Sequence, residues 1–186
     1  DHIGKEYDHS LASLGSARSY VMYGANWASA SATPFNRHKF TGFEGGIRVP
    51  LFVHYPKKVA SGARSEAVGT IMDLLPTFLA LAGAQHPGDT YRGKPVLRPR
   101  GTSLLPVLYG QSKSVHPQDE VLGWELFGYR SVRQGDWKLV WDAAPPAPQR
   151  KWQLFDVRRD FQELRDLSQS NPQQVSKMQA AWDTYA

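Results

Sequence analysis

The last third of the chain constrains the fold most. From Val121 onward, short runs alternate apolar and polar side chains: Val121–Leu126, Tyr129–Arg133, Trp137–Trp141 and Trp152–Asp156. A period of two gives a strand one dry face and one wet face. Gln134-Gly135-Asp136 separates the second and third runs, and the glycine supplies the positive φ that a tight hairpin needs. Pro145, Pro146 and Pro148 mark a loop before the fourth run. Pro172 then opens a helix, with Ser170 or Asn171 as its cap, because the first helical position has no use for an N–H donor. Val175, Met178, Trp182 and Tyr185 recur at helical spacing and form its inner face. The pattern predicts an antiparallel meander closed by a C-terminal helix, with an apolar face made by Trp124, Leu126, Leu139 and Trp141.

Upstream the pattern is α/β. Ile47, Val49, Leu51, Val53 and Tyr55 alternate with Arg48, Pro50, Phe52 and His54, which predicts a strand over Ile47–Tyr55 covered on both faces. Asp73 to Ala82 reads as a helix with Asp73 as N-cap, Pro76 in the first turn, and Leu75, Phe78, Leu79 and Ala82 on one face. Gly83 closes it. Residues 84–118 read as a surface linker, broken by five prolines and carrying Arg92, Lys94, Arg98 and Arg100, with one helical turn around Ser103–Leu108. Residues 1–38 show no sustained period. The division implied is residues 1–115, the end of an α/β domain with a linker, and residues 116–186, a small α+β subdomain.

Composition narrows the function classes. At 186 residues and 41% hydrophobic, the chain is globular. Zero cysteines exclude disulfides and thiolate metal sites and leave the compartment, cytoplasmic or periplasmic, open. No apolar run approaches the roughly 20 residues of a membrane span. The basic run Arg92 to Arg100 lacks interleaved stacking aromatics beyond Tyr91, so it reads as a solvated face and not a nucleic-acid surface. None of the histidines pairs at metal-ligand spacing and no Asp-rich loop is present, so no metal ligand is assigned.

The segment Lys39-Phe-Thr-Gly-Phe-Glu44-Gly45-Gly46-Ile-Arg-Val-Pro50 sets one fixed cation five residues before a Glu-Gly-Gly corner. A lysine near a turn is either solvated or an anion contact. His38 beside it either approaches the same anion or makes a single loop hydrogen bond. Glu44 reads as a structural carboxylate that takes backbone N–H groups or pairs with Arg48. Tyr20, Tyr23 and Trp27 read as core or as the wall of an aryl pocket. Arg130, Arg133 and Asp136-Trp137-Lys138 read as hairpin residues of alternating exposure.

Several separate blocks in order, from Trp27-Ala and Pro34 through Lys39 and Glu44-Gly-Gly-Ile-Arg-Val-Pro50, then Asp73-Leu-Leu-Pro-Thr77, Val132-Arg-Gln-Gly-Asp-Trp-Lys138, Trp152-Gln-Leu-Phe-Asp156 and Glu163-Leu-Arg-Asp-Leu167, resemble the sulfatase family, in particular the C-terminal part of bacterial arylsulfatases. The resemblance implies the end of an alkaline-phosphatase-like mixed-sheet domain followed by the small subdomain. It implies hydrolysis of sulfate monoesters by a formylglycine made in a Cys/Ser-x-Pro-x-Arg motif, with a calcium ion held by Asp and Asn. On that resemblance Lys39 is the catalytic and sulfate-binding cation; His38 is taken as a second substrate contact from its place beside Lys39 alone. The sequence departs from the pattern in one respect: the nearest approach to the nucleophile motif, Ser170-Asn-Pro-Gln-Gln174, lacks the Arg and lies at the wrong end. Formylglycine, calcium and most site residues are therefore expected in an N-terminal part outside this sequence, and the chain alone is expected to be inactive. The partners implied are a small sulfate ester and that N-terminal part, with self-association of the isolated chain through exposed surface. Two rivals stand beside this reading: a hydrolase of phosphate or phosphonate monoesters, and a non-catalytic packing or interaction module.

Overall fold

The computed structural model describes residues 5–20, 24–143 and 151–186. Its helices and strands, in chain order, are α1 (Gly24–Ser31), α2 (Glu44–Ile47), α3 (Leu74–Leu81), β1 (Thr90–Tyr91), β2 (Lys94–Pro95), α4 (Leu105–Leu108), β3 (Val121–Leu126), β4 (Tyr129–Gln134), β5 (Trp137–Trp141), β6 (Trp152–Asp156) and α5 (Pro172–Tyr185), with 3₁₀ turns at Leu11–Ser13 and Ile71–Asp73. They form two compact units, residues 1–48 with 121–186, and residues 49–120.

In the first unit β3-β4-β5-β6 make an antiparallel sheet in sequence order. Its bounds match the alternating runs to within a residue, and the β4–β5 hairpin turns on Gly135 at φ +59°. Register sets the core. Gly123 faces Val132, Val132 faces Leu139, and Leu139 faces Leu154. This row lies under α5, where Met178 and Trp182 complete a buried cluster flanked by Val175 and Trp152. Each such side chain contributes about 1.5–3 kcal/mol by leaving water. Gly123 makes room in this row for the Tyr185 ring, which would have to shift to admit a Cβ there.

The opposite face of the sheet carries Val140 and Phe155, packed with Phe43 and Val157. Trp124 pairs with Ser131 and belongs to this face, as does Leu126, whereas Leu139 and Trp141 look toward α5. The single apolar face expected from Trp124, Leu126, Leu139 and Trp141 is thus split. A one-residue shift in parity moves a side chain to the other side of a sheet, and composition alone does not fix that parity between strands.

The second unit turns on Asp73, which is fully buried. It stands at the N-cap position of α3, as the spacing predicts, but its side chain turns back to the 3₁₀ turn before the helix, which Thr70 caps. The Thr70 N–H and hydroxyl both donate to Asp73 Oδ2, at 2.6 and 3.1 Å, in a capping box around the 3₁₀ turn. The remaining capacity of the carboxylate goes to the Thr102 N–H at 2.7 Å and to His116 Nε2 at 2.9 Å. Burial opposes ionisation, but these donors outweigh it and hold the Asp73 carboxyl below the ordinary aspartate value. Thr77 is buried and accepts the Leu104 N–H at 2.8 Å. The predicted face of Leu75 and Phe78 is instead exposed.

Residues 48–55 form no strand. Ile47 closes α2, and the stretch that follows has no ladder partner among the described residues. Alternation marks a segment fit for a sheet, but pairing makes the strand. Val49, Leu51 and Phe52 are left exposed, Phe52 at 88%. No described helix is long and apolar enough to cross a membrane.

Candidate functional site

Lys39 and His38 sit on a loop whose shape is imposed from beneath by α2. Phe43 precedes the helix and is buried against Phe155, and Glu44 enters its first turn. The Gly45 N–H donates to the Asn36 carbonyl at 2.9 Å. A Cβ at Gly45 would overlap the Asn36 and Arg37 carbonyls, and one at Gly46 would strike the Thr41 carbonyl and lie 2.8 Å from the His38 carbonyl. The two glycines thus serve close backbone approach; the sharp bend expected of them is a single helical turn laid under residues 36–41. Gly46→Ala is expected to lower stability by about 1–3 kcal/mol, since both obstacles are backbone atoms that cannot rotate away; the shift in melting midpoint of the intact protein checks it.

Above this floor the loop is tied at several points. Gln162 Nε2 donates to the Pro34 carbonyl at 3.1 Å, Asn36 Nδ2 to the Glu163 carbonyl at 3.3 Å, and Arg37 Nη2 to Asp142 Oδ2 at 3.3 Å. Thr41 closes the turn, its hydroxyl donating to the His38 carbonyl at 2.9 Å. The tip that remains is Lys39-Phe40. Lys39 is exposed, its Nζ 5.3 Å from the Phe40 ring centroid. Phe40 in turn meets Phe127 at 5.8 Å between centroids. His38 is half-buried, and its Nδ1 lies 3.0 Å from Ser29 Oγ, the hydrogen bond of an ordinary loop histidine.

Sequence reasoning missed what anchors the floor. Lys138, in the middle of β5, is fully buried. Its Nζ lies 2.8 Å from Glu44 Oε1 and 2.8 Å from Glu163 Oε1. Glu163 Oε2 accepts the Glu44 N–H at 2.6 Å. Glu44 also meets Arg48 at 3.5 Å, the one pairing that sequence spacing suggested. Glu163 holds φ +54°, a left-handed conformation that a glutamate adopts only under constraint. Two carboxylates share one ammonium, and they divide its effect unequally. Burial opposes ionisation of Glu44, yet Lys138, Arg133 and Arg48 outweigh it and hold that carboxyl below the ordinary glutamate value. At Glu163 burial prevails over Lys138, and the Glu44 charge adds repulsion, so that carboxyl is raised.

The aromatic residues considered for a pocket wall do not assemble into one. Tyr20 packs against Tyr7 at 5.8 Å, Trp27 is exposed, and Tyr23 lies outside the described residues. Among the described residues no group of three or more acidic or histidine side chains is placed to hold a metal ion. Calcium therefore does not fit the residues described.

Residues 36–182 match the family model of the N-sulphoglucosamine sulphohydrolase C-terminal region. An uncharacterised sulfatase of Schizosaccharomyces pombe is 35% identical over 181 residues, 97% of this chain and 32% of that protein. The arylsulfatase of Klebsiella aerogenes is 34% identical over 54% of this chain and 22% of its own length. Among solved structures, Ps i-CgsB in complex with k-i-k-neocarrahexaose superposes with a TM-score of 0.67 at 29% identity, over 82% of this chain and 32% of that one. The chain thus spans about a third or less of the length of these relatives. Its antiparallel sheet and closing helix fall within the alkaline-phosphatase-like fold of those neighbours, and the chain belongs to the sulfatase family, as a C-terminal portion.

Proposed function

We propose that this chain completes the active site of a sulfuric ester hydrolase by presenting Lys39 to the sulfate group, with His38 as a second contact. The observation that carries this reading is the contrast between the two sides of the Lys39 loop: rigidly anchored below by a buried ion cluster, and ending above in an exposed ammonium. A fixed cation beside the sulfuryl oxygens stabilises the charge that develops as the ester bond breaks, and its worth rises when the surroundings exclude water. In the intact protein, residues 1–115 would belong to the catalytic domain and residues 116–186 to the small C-terminal subdomain, with residues 1–48 packed on the latter's sheet. Formylglycine, which supplies the nucleophile, and calcium, which orients the sulfate, would come from the N-terminal part. The exposed apolar residues 49–53 and the outer side of α3 are the surface that part would cover, and through which the isolated chain would self-associate. The arylsulfatase relative supports a small aryl ester as substrate.

The test is a turnover assay with an aryl sulfate and calcium. The intact enzyme should hydrolyse it, prefer it to the matching phosphate monoester, and lose most of its rate on Lys39→Ala, while the 186-residue chain alone should show no turnover. Activity of the isolated chain that survives Lys39→Ala would refute both the fragment reading and the site.

A further inference from the structure

We infer that Lys138 and Glu163 are positioning residues for Lys39, acting through Glu44 and the glycine pair and not through contact with substrate. This rests on the reading of Lys39 as the sulfate-binding cation. The three charged groups come from β5, from the first residue of α2 and from the loop after β6, yet they converge on one buried point. Every link from that point to the Lys39 tip is short. Lys138 Nζ holds Glu44 Oε1, and Glu163 Oε2 holds the Glu44 N–H. From Glu44 the chain passes directly to Gly45, whose N–H fixes the Asn36 carbonyl, and to Gly46, on which the His38 carbonyl rests. Glu163 closes the circuit from the other side, since its own carbonyl accepts Asn36 Nδ2. A carboxylate that clamps the helix start with its side chain and the loop with its main chain leaves Lys39 little freedom to drift.

The placement is purposeful chemically. An ammonium and two carboxylates removed from water are weak evidence for stability, because replacement by matched apolar groups is often neutral or better. Directional bonds at 2.6–2.8 Å to a helix start do what an apolar plug cannot: they set position to a fraction of an ångström. Position matters at this tip, because misplacement of a reacting group by about 1 Å costs on the order of 100-fold in rate.

A double-mutant cycle in the intact sulfatase tests the claim, with kcat and KM on an aryl sulfate measured per folded molecule, and folding followed by circular dichroism. Glu163→Gln keeps the shape and an acceptor for the Glu44 N–H but removes the charge, and Lys138→Met removes the cation. With Lys39 present, each should lower kcat by about 10-fold or more while KM changes little. In a Lys39→Ala background the same changes should lower kcat by less than about twofold, because coupled residues are not additive. Equal losses in both backgrounds, or no loss with Lys39 present, would overturn the positioning role. If Lys39→Ala itself leaves kcat unchanged, the reading of Lys39 falls, and the inference built on it falls too. Should Lys138→Met fail to fold, Glu163→Gln decides alone.

Discussion

Lys138→Met is expected to destabilise the fold by about 3–5 kcal/mol at neutral pH, because it leaves Glu44 and Glu163 buried without their shared cation. The contribution of Glu44 to the pH dependence should also change sign. In the native protein the Glu44 carboxyl is held below its ordinary value, so the stability it contributes is present above that value and lost as pH falls through the depressed one. Glu163 is raised, so its ionised form opposes folding above its ordinary value, and that opposition is relieved as pH falls through the raised one. Without Lys138 both carboxyls answer mainly to burial, and both would titrate high. The variant should therefore gain melting temperature as pH falls from neutrality toward the ordinary glutamate value, since the folded state then takes up protons that the unfolded state does not. Melts of both proteins across that range decide it. A variant that loses less than about 1 kcal/mol would mean that water or a rearranged arginine reaches the cluster and that the buried pair does not govern this part of the fold.

Lys39→Ala in the intact enzyme should lower kcat by about 100- to 1000-fold, the range found when one preorganised donor to developing charge is removed. The loss should fall on kcat, because charge builds on the departing ester oxygen only as the transition state is reached. Lys39→Arg should recover part of the rate: it keeps the charge but exchanges a compact ammonium for a planar fork. His38→Ala should matter less, since the His38 ring already spends Nδ1 on Ser29 and stands half-buried behind the tip. A fall of less than about threefold on Lys39→Ala would place the ammonium outside the reacting centre.

Much of the architecture was legible in the sequence. The four strands and the Pro172 helix declare themselves through alternation, a glycine turn and a proline start, all local signals. The segment 48–55 misled because the same alternation occurs in a stretch with no described neighbour to pair with. Asp73 was read correctly as the residue before the helix, but its side-chain work was not: Thr70 stands three residues before it, the spacing of a capping box around the preceding turn. The Lys39 loop was found from its motif, but its anchoring was not. Lys138 sits in Trp137-Lys-Leu-Val-Trp141, where a half-exposed strand normally turns its lysine to water. The signal available was a lone charge between Trp137 and Leu139 in an otherwise apolar run. Pairing it with Glu44 required knowing that positions 94 apart would meet.

That separation has a bearing on how the protein is made. The floor under Lys39 is completed by a glutamate 119 positions further along than the residue it holds. A growing polypeptide leaves the ribosome from its amino end, so the turn bearing the ammonium stays unset until the strand beyond it has also emerged and folded back. Closing so wide a circuit comes late in folding. The setting of this loop is thus tied to the finishing of the carboxyl end, and a chain that stops before residue 163 would carry the motif without its geometry.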